Sequence, residues 1–175
     1  MTTAAMDRTL ILVRHAATAH QGPGEDDHDR ELTPQGHLDA RAAGAWLRTH
    51  DFGVDQVLCS SAERTRQSTE GMWAGGCCEA DVHYDGRIYN ASPETLLDVL
   101  READDAANVV MLVGHAPGVP ALASLLADGE GNDSAHECLA GGFPTTGIAV
   151  LRFAGPWRDL AFGGARLERF HLARA

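Results

Sequence analysis

The side chains able to do chemistry stand at the ends of apolar runs. "LILVRHAATA" (10–19) carries four apolar residues straight into Arg14 and His15. "NVVMLVGH" (108–115) ends in Gly114 and His115, and "QVLCS" (56–60) leads into "SAERTRQS", which holds Arg64 and Arg66. A guanidinium presents a planar fork of N–H donors that suits a carboxylate or a phosphate. A neutral imidazole has a lone pair that serves as base or nucleophile. Brought together, Arg14, Arg64 and His115 surround a phosphate-sized anion, with His15 among them as nucleophile or base. In the competing reading, Arg64 and Arg66 pair with Glu63 or Glu70 on an exposed helix.

Whether these residues meet depends on the elements that carry them. Apolar patterning predicts strands at 9–13, 56–60, 108–115, 147–153 and 166–172, with a weaker one inside 77–89 interrupted at Gly86. Thr33 offers an N-cap and Pro34 a first helical position, so a helix is expected to about His50, its apolar face on Leu38, Ala42, Ala45 and Trp46. Further helices are expected at 62–73, capped by Ser60 or Ser61, at 92–103 behind Ser92, and from Pro117 to about Ala127. The Gly-rich polar stretches 21–31 and 128–142 read as loops, Trp46 and Trp73 as core, and the acidic run Glu25-Asp26-Asp27 as a solvated loop or as a charge that discourages highly anionic substrates. This alternation predicts one α/β domain over residues 1–175. Its architecture is a three-layer α/β/α sandwich, a mainly parallel sheet with an antiparallel C-terminal strand. In such sheets ligands bind at the carboxyl ends of strands, where Arg14-His15, Arg64 and His115 all fall. Arg64 in a first helical turn adds its charge to backbone N–H groups that already favour an anion.

Composition narrows the partners. The chain has 175 residues, 44% of them hydrophobic, and a formal net charge of −11. That charge disfavours nucleic acid and anionic membrane surfaces. No apolar run approaches the roughly 18 residues of a membrane span, and "MTTAAMDRTL" lacks a signal-peptide pattern, so a cytoplasmic protein is expected. Cys59, Cys77, Cys78 and Cys138 contain no C-x-x-C pair and are expected as free thiols. His15, His20, His28 and His37 raise a metal site, including a metal-dependent hydrolase using the first three. Their spacing matches no common ligand motif, and no metal or other cofactor is expected.

"LVRHAATA", "LTPQG", "CSSAERTRQST" and "LVGHAPGV" resemble, in order, the landmarks of the histidine phosphatase (phosphoglycerate-mutase-like) superfamily. The short chain, "RELTPQG", "IYNASPETLL" and "FPTTGIAVL" are most similar to its SixA branch of phosphohistidine phosphatases. The resemblance implies that His15 is the nucleophile that becomes phosphorylated. It implies that Arg14 and Arg64 bind phosphate oxygens and that His115 is the second pocket histidine. Arg30 is implied as a further phosphate contact and Thr145 as a pocket threonine, with Thr146 read as part of a turn. Two positions depart from the pattern: Ala16 stands where glycine is common, and Ser60-Ser61 where Ser-Pro is usual. Larger members use a carboxylic acid to protonate the leaving group. Glu94 is the candidate here, against the plain alternative of a first-turn carboxylate favoured by the helix dipole. The implied partner is a protein bearing phosphohistidine or a small phosphorylated substrate. A broad phosphomonoesterase and a non-catalytic phosphate-binding module are the alternatives.

Overall fold

Leu10, Ile11, Leu12 and Val13 form a strand because both of its faces are covered. Leu10 and Leu12 enter one apolar cluster, while Ile11 and Val13 enter another on the opposite side of the sheet. Period-two alternation thus feeds two cores, and the strand reads as a continuous apolar run. The computed structural model describes residues 7–77 and 80–175. Its strands are β1 (Asp7–Arg14), β2 (Gln56–Ser60), β3 (Asp81–Asp85), β4 (Val109–Gly114), β5 (Ala127–Gly131), β6 (Gly147–Ala154) and β7 (Ala165–Leu172). The helices are α1 (Pro34–Thr49), α2 (Glu63–Ala74), α3 (Pro93–Arg101), α4 (Gly118–Leu126) and α5 (Asp133–Gly141).

The strands form one seven-stranded sheet in the order β3-β2-β4-β1-β6-β7-β5. β1, β2, β3 and β4 are mutually parallel, and β6 runs antiparallel to both β1 and β7. The reversed strand is therefore β6, and the C-terminal β7 points the same way as β1. α1 and α2 contribute Ala43, Leu47 and Met72 to the core on one face. α3 and α4 contribute Leu96, Leu100, Leu122 and Leu126 to the core on the other. The result is the expected α/β/α sandwich. No helix among the described residues is long and apolar enough to cross a membrane.

The expected helix α1 forms behind Thr33, whose hydroxyl accepts the Gly36 N–H, but its inner face differs from the expected one. Gly36, Asp39, Ala40, Ala43, Gly44 and Leu47 are buried, while Leu38 is exposed. The reason is close approach: a Cβ on Gly44 would lie 1.9 Å from the Met72 carbonyl oxygen of α2. Small residues carry little hydrophobic signal, so the larger outward Leu38 and Trp46 misplace the stripe. Trp46 and Trp73 are only partly buried, and the fully buried tryptophan is Trp157.

The stretch 128–142 is not a loop. β5 lies on the sheet edge beside β7, and α5 follows behind Asn132, whose side chain accepts the Ala135 N–H. "ADGEG" has no apolar alternation, so only the open edge of β7 makes it a strand. Cys59 and Cys138 are free thiols, and Cys78 lies outside the described residues.

Candidate active site

Parallel pairing sets the carboxyl ends of β1, β2 and β4 on one edge. Arg14 stands opposite Gly114, and the His15 N–H donates to the Gly114 carbonyl at 3.1 Å. The next residues on the two strands, His15 and His115, are thereby neighbours, their ring centroids 5.3 Å apart. Each is only 7% exposed.

His15 Nδ1 lies 2.7 Å from the Ala16 carbonyl oxygen, which can only accept. Nδ1 therefore carries the ring hydrogen, and Nε2 keeps its lone pair. Burial, reinforced by the charges of Arg64 and Arg14, lowers the His15 pKa to about 4, so the ring is neutral at physiological pH. Burial, with His15 and Arg64 nearby, likewise lowers His115 to about 3. His115 Nε2 meets the Ser60 hydroxyl at 2.7 Å, and that hydroxyl also accepts the Ala62 N–H at 3.3 Å. The hydroxyl then donates a hydrogen bond to the Nε2 lone pair, so the ring hydrogen is on Nδ1, which is buried without a partner among the described residues. One histidine thus offers a lone pair and the other an unused donor.

The arginines complete the site. Arg14 donates to the Phe143 carbonyl at 3.0 Å, and its buried Nε has no partner among the described residues. Arg64, in the first turn of α2, is 6% exposed. Neither Ser60 nor Ser61 caps that helix: Ala62 is its N-cap, with no side-chain cap hydrogen bond. The two hydroxyls are turned to histidines instead, Ser60 to His115 and Ser61 to His28 at 2.9 Å. Arg64 does not pair with Glu63 or Glu70. It donates to the Asp27 backbone carbonyl at 2.8 Å and to the Asp27 carboxylate at 3.1 Å. Arg66 packs on Tyr84 and donates to the Ser61 carbonyl.

Arg30 lies beside the site, but its guanidinium is largely taken up by Asp27, Thr18 Oγ1 and the Ala19 carbonyl. Glu94 is exposed in the first turn of α3, with no hydrogen bond or ion pair among the described residues. The Thr145 side chain makes no hydrogen bond among the described residues; Thr146 ties that turn to the site. His15, His20 and His28 form no metal-ligating group, and no such group of three occurs among the described residues.

Four contributors take roles that the sequence reading did not give them. Asp27, from a 3-10 turn at Asp27–Asp29, holds Arg64, Arg30 and the Tyr89 hydroxyl. Tyr89 sets its ring edge-on to His115 at 5.6 Å and lies under Arg64. The Ser68 hydroxyl accepts the Ala16 N–H and donates to the Arg64 carbonyl, tying the end of β1 to α2. Thr146 bonds the backbone of Arg14 and His15. Ser68 falls one helical turn after Arg64, a spacing that hints at its role, whereas Asp27 is lost among other loop acids.

A cavity of about 370 Å³ opens beside His115, lined by Ile88, Asn90, Ala91, Leu96 and Pro117 among others. A larger groove, about 890 Å³, lies at the opposite end of β1 beside Asp7. In it Arg152 and Arg166 pair with Glu168, and it holds none of the strand-end histidines.

Known proteins resemble this chain in sequence and fold. The profile described as "Histidine phosphatase superfamily (branch 1)" matches residues 10–87. The solved structure of a candidate phosphohistidine phosphatase SixA from Nakamurella multipartitia is 37% identical, with a TM-score of 0.85 over 99% of this chain and 100% of that one. The chain belongs to the histidine phosphatase superfamily. Within it, the chain is of the SixA type and a phosphatase. A second candidate phosphohistidine phosphatase SixA, from Agrobacterium tumefaciens, is 34% identical, with a TM-score of 0.76 over 94% of this chain and 97% of that one. An uncharacterised Mycobacterium tuberculosis protein is 42% identical over 163 residues, covering 93% of this chain and all of the relative. Both departures from the superfamily pattern fall at the histidine cluster. Ala16 is fully buried and supplies the carbonyl that fixes the His15 tautomer. Ser61, where proline is usual, supplies the hydroxyl that meets His28.

Proposed function

We propose that this phosphatase hydrolyses protein phosphohistidine through a phosphorylated His15. His15 Nε2 attacks phosphorus in line. The substrate ring takes a proton from solvent on its distal nitrogen, the bond from phosphorus to its other nitrogen breaks with the electron pair staying on that nitrogen, and neutral imidazole departs. Water then cleaves the His15–phosphorus bond and releases phosphate, so one hard step becomes two easier ones. Arg14 and Arg64 stabilise charge on the phosphoryl oxygens with preorganised donors, and the His115 Nδ1–H supplies another. These groups meet the electrostatic demand without a divalent ion.

The observation that carries the substrate class is the state of the carboxyl groups. Glu94 is exposed and makes no hydrogen bond or ion pair among the described residues, and Asp27 is held far down in the ionised range, chiefly by the Tyr89 hydroxyl and then by Arg30 and Arg64. Asp27, the carboxylate tied to the arginines, therefore does not supply a proton to an alkoxide. A phosphorylated imidazole needs less help, because the ring leaves as a stable base. The cavity beside His115 supports the same reading, since its Ile88, Leu96 and Pro117 walls suit the flat face of a ring.

The test is phosphate release from a phosphohistidine-bearing protein and from p-nitrophenyl phosphate, with excess chelator, for wild type and His15→Ala. His15-dependent release that strongly favours phosphohistidine is the expected result. Release mainly from the ester replaces this reading with a general phosphomonoesterase. Activity lost to chelator removes the metal-free mechanism.

A further inference from the structure

Asp27 places a negative charge among the cations proposed to bind phosphate. Its carboxylate accepts from Arg64 at 3.1 Å, from Arg30 at 3.1 Å and from the Tyr89 hydroxyl, and its backbone carbonyl accepts from Arg64 at 2.8 Å. The side chains differ in depth: Arg64 is 7% exposed and Asp27 is 36% exposed. Asp27 thus lies on the solvent side of the arginine. His15 attacks from the buried strand end, and in-line displacement puts the leaving group opposite it, toward solvent. The leaving group and Asp27 therefore share the mouth of the site.

We infer that Asp27 is a specificity-determining residue that selects the leaving group by charge. The inference rests on the phosphatase reading above. A phosphorylated imidazole protonated on its distal nitrogen carries positive charge into the mouth, and the Asp27 carboxylate attracts it. A phosphate ester develops negative charge on its leaving oxygen, and the same carboxylate opposes it. The fixed anion also competes with free phosphate for Arg64, which limits binding of the product. Tyr89 holds Asp27 in place and joins this control to the pocket, because its ring also packs against His115. Charges a few ångströms apart at a partly exposed site change rates by about 10-fold.

The experiment compares kcat/KM for N-phosphorylated imidazole and p-nitrophenyl phosphate in wild type, Asp27→Asn and Asp27→Glu, with Asp27→Ser as a second charge-free variant. Circular dichroism checks each fold. The imidazole-to-ester ratio is expected to fall about 10-fold in Asp27→Asn and to stay within about threefold of wild type in Asp27→Glu. A ratio unchanged in folded, charge-free variants overturns the inference, as does an equal fall in Asp27→Glu. If wild type turns over neither substrate, the phosphatase reading fails, and calorimetry with orthophosphate decides Asp27 separately. Tighter phosphate binding in Asp27→Asn supports the fixed anion, and unchanged or weaker binding overturns it.

Discussion

The backbone N–H of Thr146 is shared between the carbonyls of Arg14, at 3.0 Å, and His15, at 3.2 Å. Thr146 adopts a left-handed backbone, φ 57°, just before the reversed strand β6. Its hydroxyl lies 2.9 Å from the Ala173 carbonyl and accepts from Arg174 at 2.6 Å. A turn distant in sequence thus fixes the backbone that presents His15. Thr146→Ala keeps the N–H and removes the hydroxyl. The expected result is a loss of about 1–2 kcal/mol in urea unfolding, with kcat within about threefold of wild type. A large fall in kcat at unchanged stability contradicts this division of labour.

Arg64 gives a sharper effect on rate. Arg64→Ala removes a buried donor fork from the site and is expected to lower kcat/KM on the order of 10²-fold. Steady-state kinetics on the phosphohistidine substrate measures it. A change below about threefold removes Arg64 from the chemistry.

The histidines make stability depend on pH. Burial, with nearby Arg64 and Arg14, keeps folded His15 from binding a proton until about pH 4, against 6.5 for an unperturbed imidazole. Between those values the unfolded chain binds more protons, so stability is fully present above about 6.5 and is lost as pH falls toward 4. The His15 contribution lost by pH 4 is on the order of 3 kcal/mol. Chemical denaturation across this range is expected to show the slope, and His15→Gln to reduce it. In NMR titration, the His15 ring proton shifts only below about pH 5 if this assignment holds.

Glu94 provides the negative control. It is exposed and unpaired among the described residues. Glu94→Gln is expected to leave kcat within about twofold to threefold for both imidazole and ester substrates. A 10²-fold loss confined to the ester instead makes Glu94 the leaving-group acid.

The sequence by itself determined the sheet's centre and the cations and imidazoles at its carboxyl edge. Leu10–Val13 and Val110–Val113 are unbroken apolar runs, and in-register parallel pairing of β1 and β4 makes the residues following them neighbours. Local signals also fixed the starts of α1 and α3, because Thr33-Pro34 and Ser92-Pro93 cap a helix through residues adjacent in sequence. Tertiary structure decided what depended on distant partners. β5 is a strand because β7 offers it an edge. The inner face of α1 is small because α2 comes close enough to exclude a Cβ at Gly44. Ser60 and Ser61 leave α2 uncapped because their hydroxyls meet His115 and His28. Asp27 and Tyr89 are separated by 62 residues, so their hydrogen bond leaves no local pattern to read. Local propensity and period are written in neighbouring residues, whereas a hydrogen bond across the fold exists only after the chain has closed.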